Sequence, residues 1–230
     1  MQMAKVVAVT KVFKSLADVE AKLSLGRSDD AGFFPEWRLP LSNLTTAERD
    51  RLSLIRQRLL YHRSGGDLLE GAVMLLVASP LLELAGFYDP PFQLKSEVSV
   101  DISVDDGEEI LRGRIDALIL QQNFWVLVVE AKKTTISTRS ALPQTLAYMM
   151  ANHQLDERPT FGLMTNGDDV LFVKLAALQP STPEGSSSKE NLYSLSRTFS
   201  LYTVPEELET VLQVMKNIGD ASAPNDFPSS

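Results

Sequence analysis

Between residues 46 and 62, TAERDRLSLIRQRLLYH, apolar side chains fall at Leu52, Ile55, Leu59 and Leu60. Those three- and four-residue spacings predict a helix with one apolar face. Ser64-Gly65-Gly66 breaks the period. Asp67 can then cap a second helix, DLLEGAVMLLVASPLLELAG, which Pro80 should kink or split and Gly86 should end. Three strands follow, at 92–103, 109–120 and 124–132. The last two carry runs apolar on both faces (ALIL, WVLVV), as a central hairpin would. SALPQTLAYMMANHQ (140–154) reads as a helix, and 161–166 with 170–175 as a hairpin turned by GDD. LYSLSRTFSLY gives one more strand. PEELETVLQVMKNIG gives a final helix with Pro205 at its first position.

This order predicts one α/β domain, with a central mixed sheet (an antiparallel meander plus further strands) flanked by helices. Residues 1–45 form an N-terminal arm, in which VVAVTKVF can be a strand and GFFPEWRLPLS can pack on the core through its aromatics. The core spans 46–178. The Ser/Pro/Gly-rich segment 179–191 reads as a flexible loop. Residues 192–219 supply a strand and a helix that pack on the core, and 220–230 a disordered tail.

Composition narrows the chemistry. The chain has 230 residues, 44% hydrophobic and 23% charged, enough for a sizeable core without cross-links. With no Cys there is no disulfide and no thiolate metal site, and two His make a His-rich zinc site unfavourable. Catalysis would rest on Asp, Glu, Lys, Gln, Ser or Tyr. No signal peptide or membrane span is legible, so the expected location is the cytoplasm. The net charge of −8 argues against a broad nucleic-acid-coating surface but leaves room for a local basic strip.

Charges inside the central hairpin, LRGRIDALILQQNFWVLVVEAKK (111–133), need a reason. With the turn centred on Asn123 in a three-residue loop 122–124, residue 121 faces 125 and 119 faces 127. Asp116 then faces Glu130, on one side of the sheet with Cβ atoms about 5 Å apart. Lys132, two residues on, points the same way. A one-residue slip would part the two carboxylates. A salt bridge on a wet strand face is the structural alternative, but these strands are apolar on both faces, and a buried charge cluster without a task is costly. A divalent cation reverses the repulsion, because Mg²⁺ is commonly held by one or two carboxylates plus water and phosphate oxygens. A neighbouring Lys can orient water and neutralise charge growing on phosphorus.

The pattern resembles the PD-(D/E)XK nuclease superfamily, and more closely the N-terminal nuclease domain of the R subunits of type I restriction enzymes. Four features carry the resemblance, in order over roughly 67–175. They are Asp116 with Glu130-Ala131-Lys132; Gln144-Thr-Leu-Ala-Tyr148, similar to the RecB-like QxxxY motif; Glu70 ahead of Pro80-Leu81-Leu82 and Gly86-Phe87; and FGLMTNG (161–167). Ile115 stands where the superfamily's name has Pro, and no Walker A sequence for a helicase motor occurs. The resemblance implies a restriction-endonuclease-like fold and a Mg²⁺-dependent DNA endonuclease, with Mn²⁺ as substitute, leaving 5′-phosphate and 3′-hydroxyl ends. It implies Asp116, Glu130 and the Ala131 carbonyl as metal ligands, and Lys132 as the residue orienting water. Gln144 would support the site or touch DNA, Tyr148 would pack or hydrogen-bond behind it, and Glu70 would assist from the first helix.

Glu83 is a weaker candidate for the role of Glu70, and Glu97 a further acidic neighbour or an exposed strand residue. Lys133, Arg112, Arg114 and Arg139 are candidate phosphate contacts. Expected partners are DNA, a separate helicase or methylation subunit, and a second copy in a homodimer through the aromatic arm and last helix. The alternative function is a catalytically silent nucleic-acid-binding or assembly module of the same fold.

Overall fold

Long apolar strands dictate the architecture, because each must cover two faces. In the computed structural model, which describes residues 5–38, 41, 43–104, 109–122, 124–152, 158–178 and 190–222, nine strands form one mixed sheet. They are β1 (Lys5–Ala8), β2 (Leu25–Arg27), β3 (Phe92–Val104), β4 (Glu109–Gln121), β5 (Phe124–Ala131), β6 (Thr160–Thr165), β7 (Asp169–Leu178), β8 (Glu190–Leu195) and β9 (Phe199–Ser200). The path runs β1-β4-β5-β6-β7-β8-β2, with β3 on β4 and β9 on β7. β3, β4 and β5 make the expected antiparallel meander, while β5–β6, β1–β4 and β2–β8 are parallel.

Helices cover both faces. One layer is α3 (Thr46–Ser64), the helical run 70–84 and α7 (Glu207–Ser222), packed over Ala117, Ile119, Leu127, Val129 and Phe172. The other is α1 (Val9–Val12), α2 (Leu16–Leu23) and α6 (Leu142–Met150), over Leu118, Val128, Met164 and Val173. The sheet is therefore sandwiched between helices, and among the described residues no helix is long and apolar enough to cross a membrane.

Several local expectations need correction. The segment 1–45 is more than an arm, since it supplies β1 and β2 to the sheet itself. The helix after α3 begins at Glu70, with Leu69 and not Asp67 at its cap. Asp67 instead accepts a hydrogen bond from the Thr134 hydroxyl and pairs with Arg63. Ahead of Pro80 the helix is interrupted, as expected, but by a π turn and not by a break in the chain's helical path. α4 (Glu70–Val73) passes through a π turn (Met74–Ala78) into α5 (Ser79–Leu84), and that wider turn lets the chain accommodate a residue without an N–H. Gly86, at φ 84°, ends the run as expected, with Phe87 N–H donating back to Leu82 O. The last helix starts at Glu207, two residues beyond Pro205, and continues to Ser222. Most of the loop at 179–191 and the tail from 223 lie outside the described residues.

Candidate active site

The hairpin register decides whether the carboxylates meet. β4 and β5 pair Ile119 with Leu127, Leu118 with Val128 and Ala117 with Val129. The paired ladder ends at Ala117–Val129, and beyond it Asp116 lies close enough to Ala131 and Glu130 to bond the one and raise the other. The turn itself differs from expectation: Gln121 pairs with Phe124 and Leu120 with Trp125, so the loop holds two residues, not three. A bulge at Val126 restores the register beyond it. The two offsets cancel before they reach the charged residues.

Asp116 sits at a break in the sheet. Leu111 and Ile115 belong to one apolar layer but Ala117 and Ile119 to the other, although strict alternation would put all four on one face. Opposite the break, β3 pairs Val98 with Ile115 and Ser96 with Ala117 but skips Glu97, which has φ 54°. Freed from the ladder, the Asp116 carboxylate accepts a hydrogen bond from Ala131 N–H at 2.8 Å.

Glu130 is buried, 0% exposed, near the end of the central strand β5. Its Oε2 accepts from Gln144 Nε2 at 2.9 Å and lies 3.7 Å from Lys132 Nζ. Its Oε1 is buried without a hydrogen-bond partner. Burial, reinforced by the Asp116 charge, pushes the Glu130 carboxyl up to about 8 against the pull of Lys132. Burial also raises Asp116, opposed by the Ala131 N–H and by Lys132.

Gln144 and Tyr148 come from α6, a helix buried almost all round, on which Gln144 is one of the few half-buried positions. Gln144 Nε2 donates also to Tyr148 Oη at 3.0 Å, and Tyr148 Oη accepts from the Arg114 amide at 3.2 Å. Two glycines seat this helix. A Cβ on Gly113 would stand 2.2 Å from Tyr148 Cε1, and one on Gly162 would stand 2.8 Å from Thr145 Cγ2. Glu70 arrives from the opposite layer, with Oε1 3.9 Å from Lys132 Nζ. Its helix is fastened to the segment after Lys132: Thr134 N–H donates to Leu68 O, and Leu68 N–H donates to the Thr134 hydroxyl. In the TNG turn, Asn166 Nδ2 donates to Ile136 O and braces the same segment.

Thus Asp116, Glu130, Lys132, Gln144, Tyr148 and Glu70 converge. Arg114, exposed, lines a cleft of ≈ 430 Å³ with Glu70, Gly71, Met74, Glu97 and Asp116. Glu97 is both things weighed for it, an exposed strand residue and an acidic neighbour. Arg112 is committed elsewhere, in a two-point fork with Asp101 at 2.8 Å. Glu83 pairs with Arg51 and is not among the residues lining the cleft. Lys133 and Arg139 are exposed just beyond β5. Missed from sequence were Gly113, Gly162 and Thr134, whose roles depend on what the fold brings against them.

Among the described residues no group of three or more His, Asp or Glu side chains is arranged to hold a metal by itself. Asp116 and Glu130 could hold one with the Ala131 carbonyl, and the donor chemistry fits: two burdened carboxylates, one with a bare oxygen, suit a hard divalent ion.

No family model matches the chain, and no curated protein does. Among solved structures, the chain is similar to a fragment from Vibrio vulnificus YJ016 provisionally described as the HsdR subunit of a type I restriction enzyme. Identity is 21%, over 46% of this chain and 21% of that one, with a TM-score of 0.36. The reading of the site therefore stands on its own geometry.

Proposed function

We propose that this chain is a Mg²⁺-dependent DNA endonuclease, comparable to a type I restriction R-subunit nuclease domain. The observation that carries the reading is Glu130: a fully buried carboxyl close to Asp116, with one oxygen bare and one ammonium beside it. A structural ion pair would satisfy its oxygens. Holding two carboxylates together is useful when a cation joins them.

Asp116 and Glu130 would bind Mg²⁺ (or Mn²⁺), with the Ala131 carbonyl as a third donor. When bound, that ion supplies Lewis-acid stabilisation of the phosphodiester and lowers the pKa of water. Lys132, 17% exposed at its side chain, orients the attacking water and offsets charge growing on the phosphoryl oxygens. Gln144 holds Glu130 by Oε2 and so leaves Oε1 free. Tyr148 ties Gln144 to the β4 backbone. Glu70 steadies the Lys132 ammonium. Arg114, Lys133 and Arg139 offer cations to the DNA backbone, and a helicase or methylation subunit, or a second copy of the chain, would extend the interface.

The test is cleavage of circular and linear DNA with Mg²⁺ or Mn²⁺, comparing the wild type with Lys132→Ala and Glu130→Ala. We expect metal-dependent cutting of circles, reduced about 10²- to 10³-fold in both variants, the scale set by removing a preorganised charge-stabilising group. Cutting that survives Glu130→Ala would sink the assignment. DNA binding without any cutting would favour the silent binding module.

A further inference from the structure

Three non-glycine residues with positive φ occur among the described residues, and two have local reasons. Ser24 caps the end of α2, and Gln122 lies in the β4–β5 turn. Glu97 lies in mid-strand. If the strand needed only a left-handed break there, glycine or asparagine would supply it more cheaply. A glutamate instead sets a carboxylate in the wall of the cleft. Its Oε1 lies 3.5 Å from Arg114 Nη1, and both side chains are more than half exposed.

Arg114 is the one cation among the residues lining this cleft, against three carboxylates, Glu70, Glu97 and Asp116. Its backbone is anchored by Tyr148, so the side chain springs from a fixed point of the wall. A phosphodiester entering the cleft thus meets an arginine already occupied. We infer that Glu97 is a positioning residue that withholds Arg114 from phosphate until a bound strand replaces it. The inference rests on the nuclease reading for its substrate class, but it concerns binding and not the chemical step. An exposed ion pair is weak enough to be exchanged, while a phosphate can offer a guanidinium two-point acceptance. The exchange makes binding selective for a polyanion that reaches deep enough to displace Glu97.

The experiment is fluorescence anisotropy of a short labelled DNA duplex in chelator at several salt concentrations. It compares the wild type, Glu97→Gln, Arg114→Ala and the double variant, each checked for a native melting transition. Glu97→Gln should tighten binding about 2- to 5-fold, the scale of one exposed pair. Arg114→Ala should weaken it and flatten the slope of log K against log salt by about one. In the Arg114→Ala background, Glu97→Gln should have no effect. Equal tightening in both backgrounds would mean general repulsion and overturn the inference, as would no tightening or no binding by any variant. If binding follows the expected pattern but no protein cuts with Mg²⁺, the nuclease reading fails and the role of Glu97 stands.

Discussion

At the scale of single residues, Glu130 separates a working site from a structural ion pair. Its carboxyl is 0% exposed, with one oxygen unpartnered and Lys132 only at 3.7 Å. Folding therefore withdraws an acid from water without full compensation, which costs stability. Glu130→Gln keeps the shape and an acceptor for Gln144 while removing the charge. In chelator near neutral pH we expect this variant to melt higher than the wild type, by about 2–4 °C for each kcal/mol recovered, while DNA cutting is lost. A lower melting temperature would show that the carboxylate is a net structural partner of Gln144 and Lys132. The acid pair itself was legible in the sequence, since Asp116 and Glu130 interrupt strands apolar on both faces. The bare oxygen and the left-handed Glu97 were not, because both follow from three-dimensional neighbours.

At the scale of elements, the long pieces were readable and most of the short ones were not. α3 declares itself by its period and the meander by its long apolar runs; β1 falls within VVAVTKVF, legible as a strand, but β2, with three residues, is too brief to show a pattern. The bulge at Val126 was invisible for a related reason: in WVLVV an inserted residue disturbs no alternation. Pro80 did mark an interruption, but its form, a π turn that absorbs the missing N–H, was not legible. How the elements are tied together is testable through Glu48. It closes the capping box of α3 with Thr45 and also accepts a hydrogen bond from Lys216 of α7. The Lys216 bond first, then the Thr45 amide, lowers its carboxyl from 4.5 to about 2. Between those values the unfolded chain binds the proton and the folded chain does not, so stability falls as pH drops through that window. Glu48→Gln should cost about 1–2 kcal/mol at pH 7. The gap between variant and wild type should shrink as pH falls below 4.5 and close near pH 2. A gap independent of pH in thermal or urea melts would mean that the charge does not matter.

At the scale of the whole molecule, the charge balance limits how this protein can hold DNA. It has 22 Lys and Arg against 30 Asp and Glu. The densest basic run, α3, is largely committed: Arg49 pairs with Glu209, Arg51 with Glu83 and Arg63 with Asp168. Among the described residues, the cations near the candidate site are the exposed Lys133 and Arg139, together with Lys132, paired with Glu70 and Glu130, and Arg114, paired with Glu97. Each phosphate neutralised on duplex DNA contributes about −0.9 to the slope of log K against log salt. With four such cations among the described residues, the wild-type slope should be no steeper than about −3.6. Affinity should be correspondingly modest at physiological salt. Titrations of one duplex over a range of salt concentrations would measure this. A steeper slope would place the DNA on another face, with Arg56 and Arg58 of α3 as the first residues to replace, and would detach binding from the Asp116–Glu130 cleft. A slope within the limit that flattens further on Lys133→Ala and Arg139→Ala would put the backbone of the DNA across the end of β5. An affinity so limited by charge would in turn need a basic partner, or a second copy of the chain, to hold DNA under cellular salt.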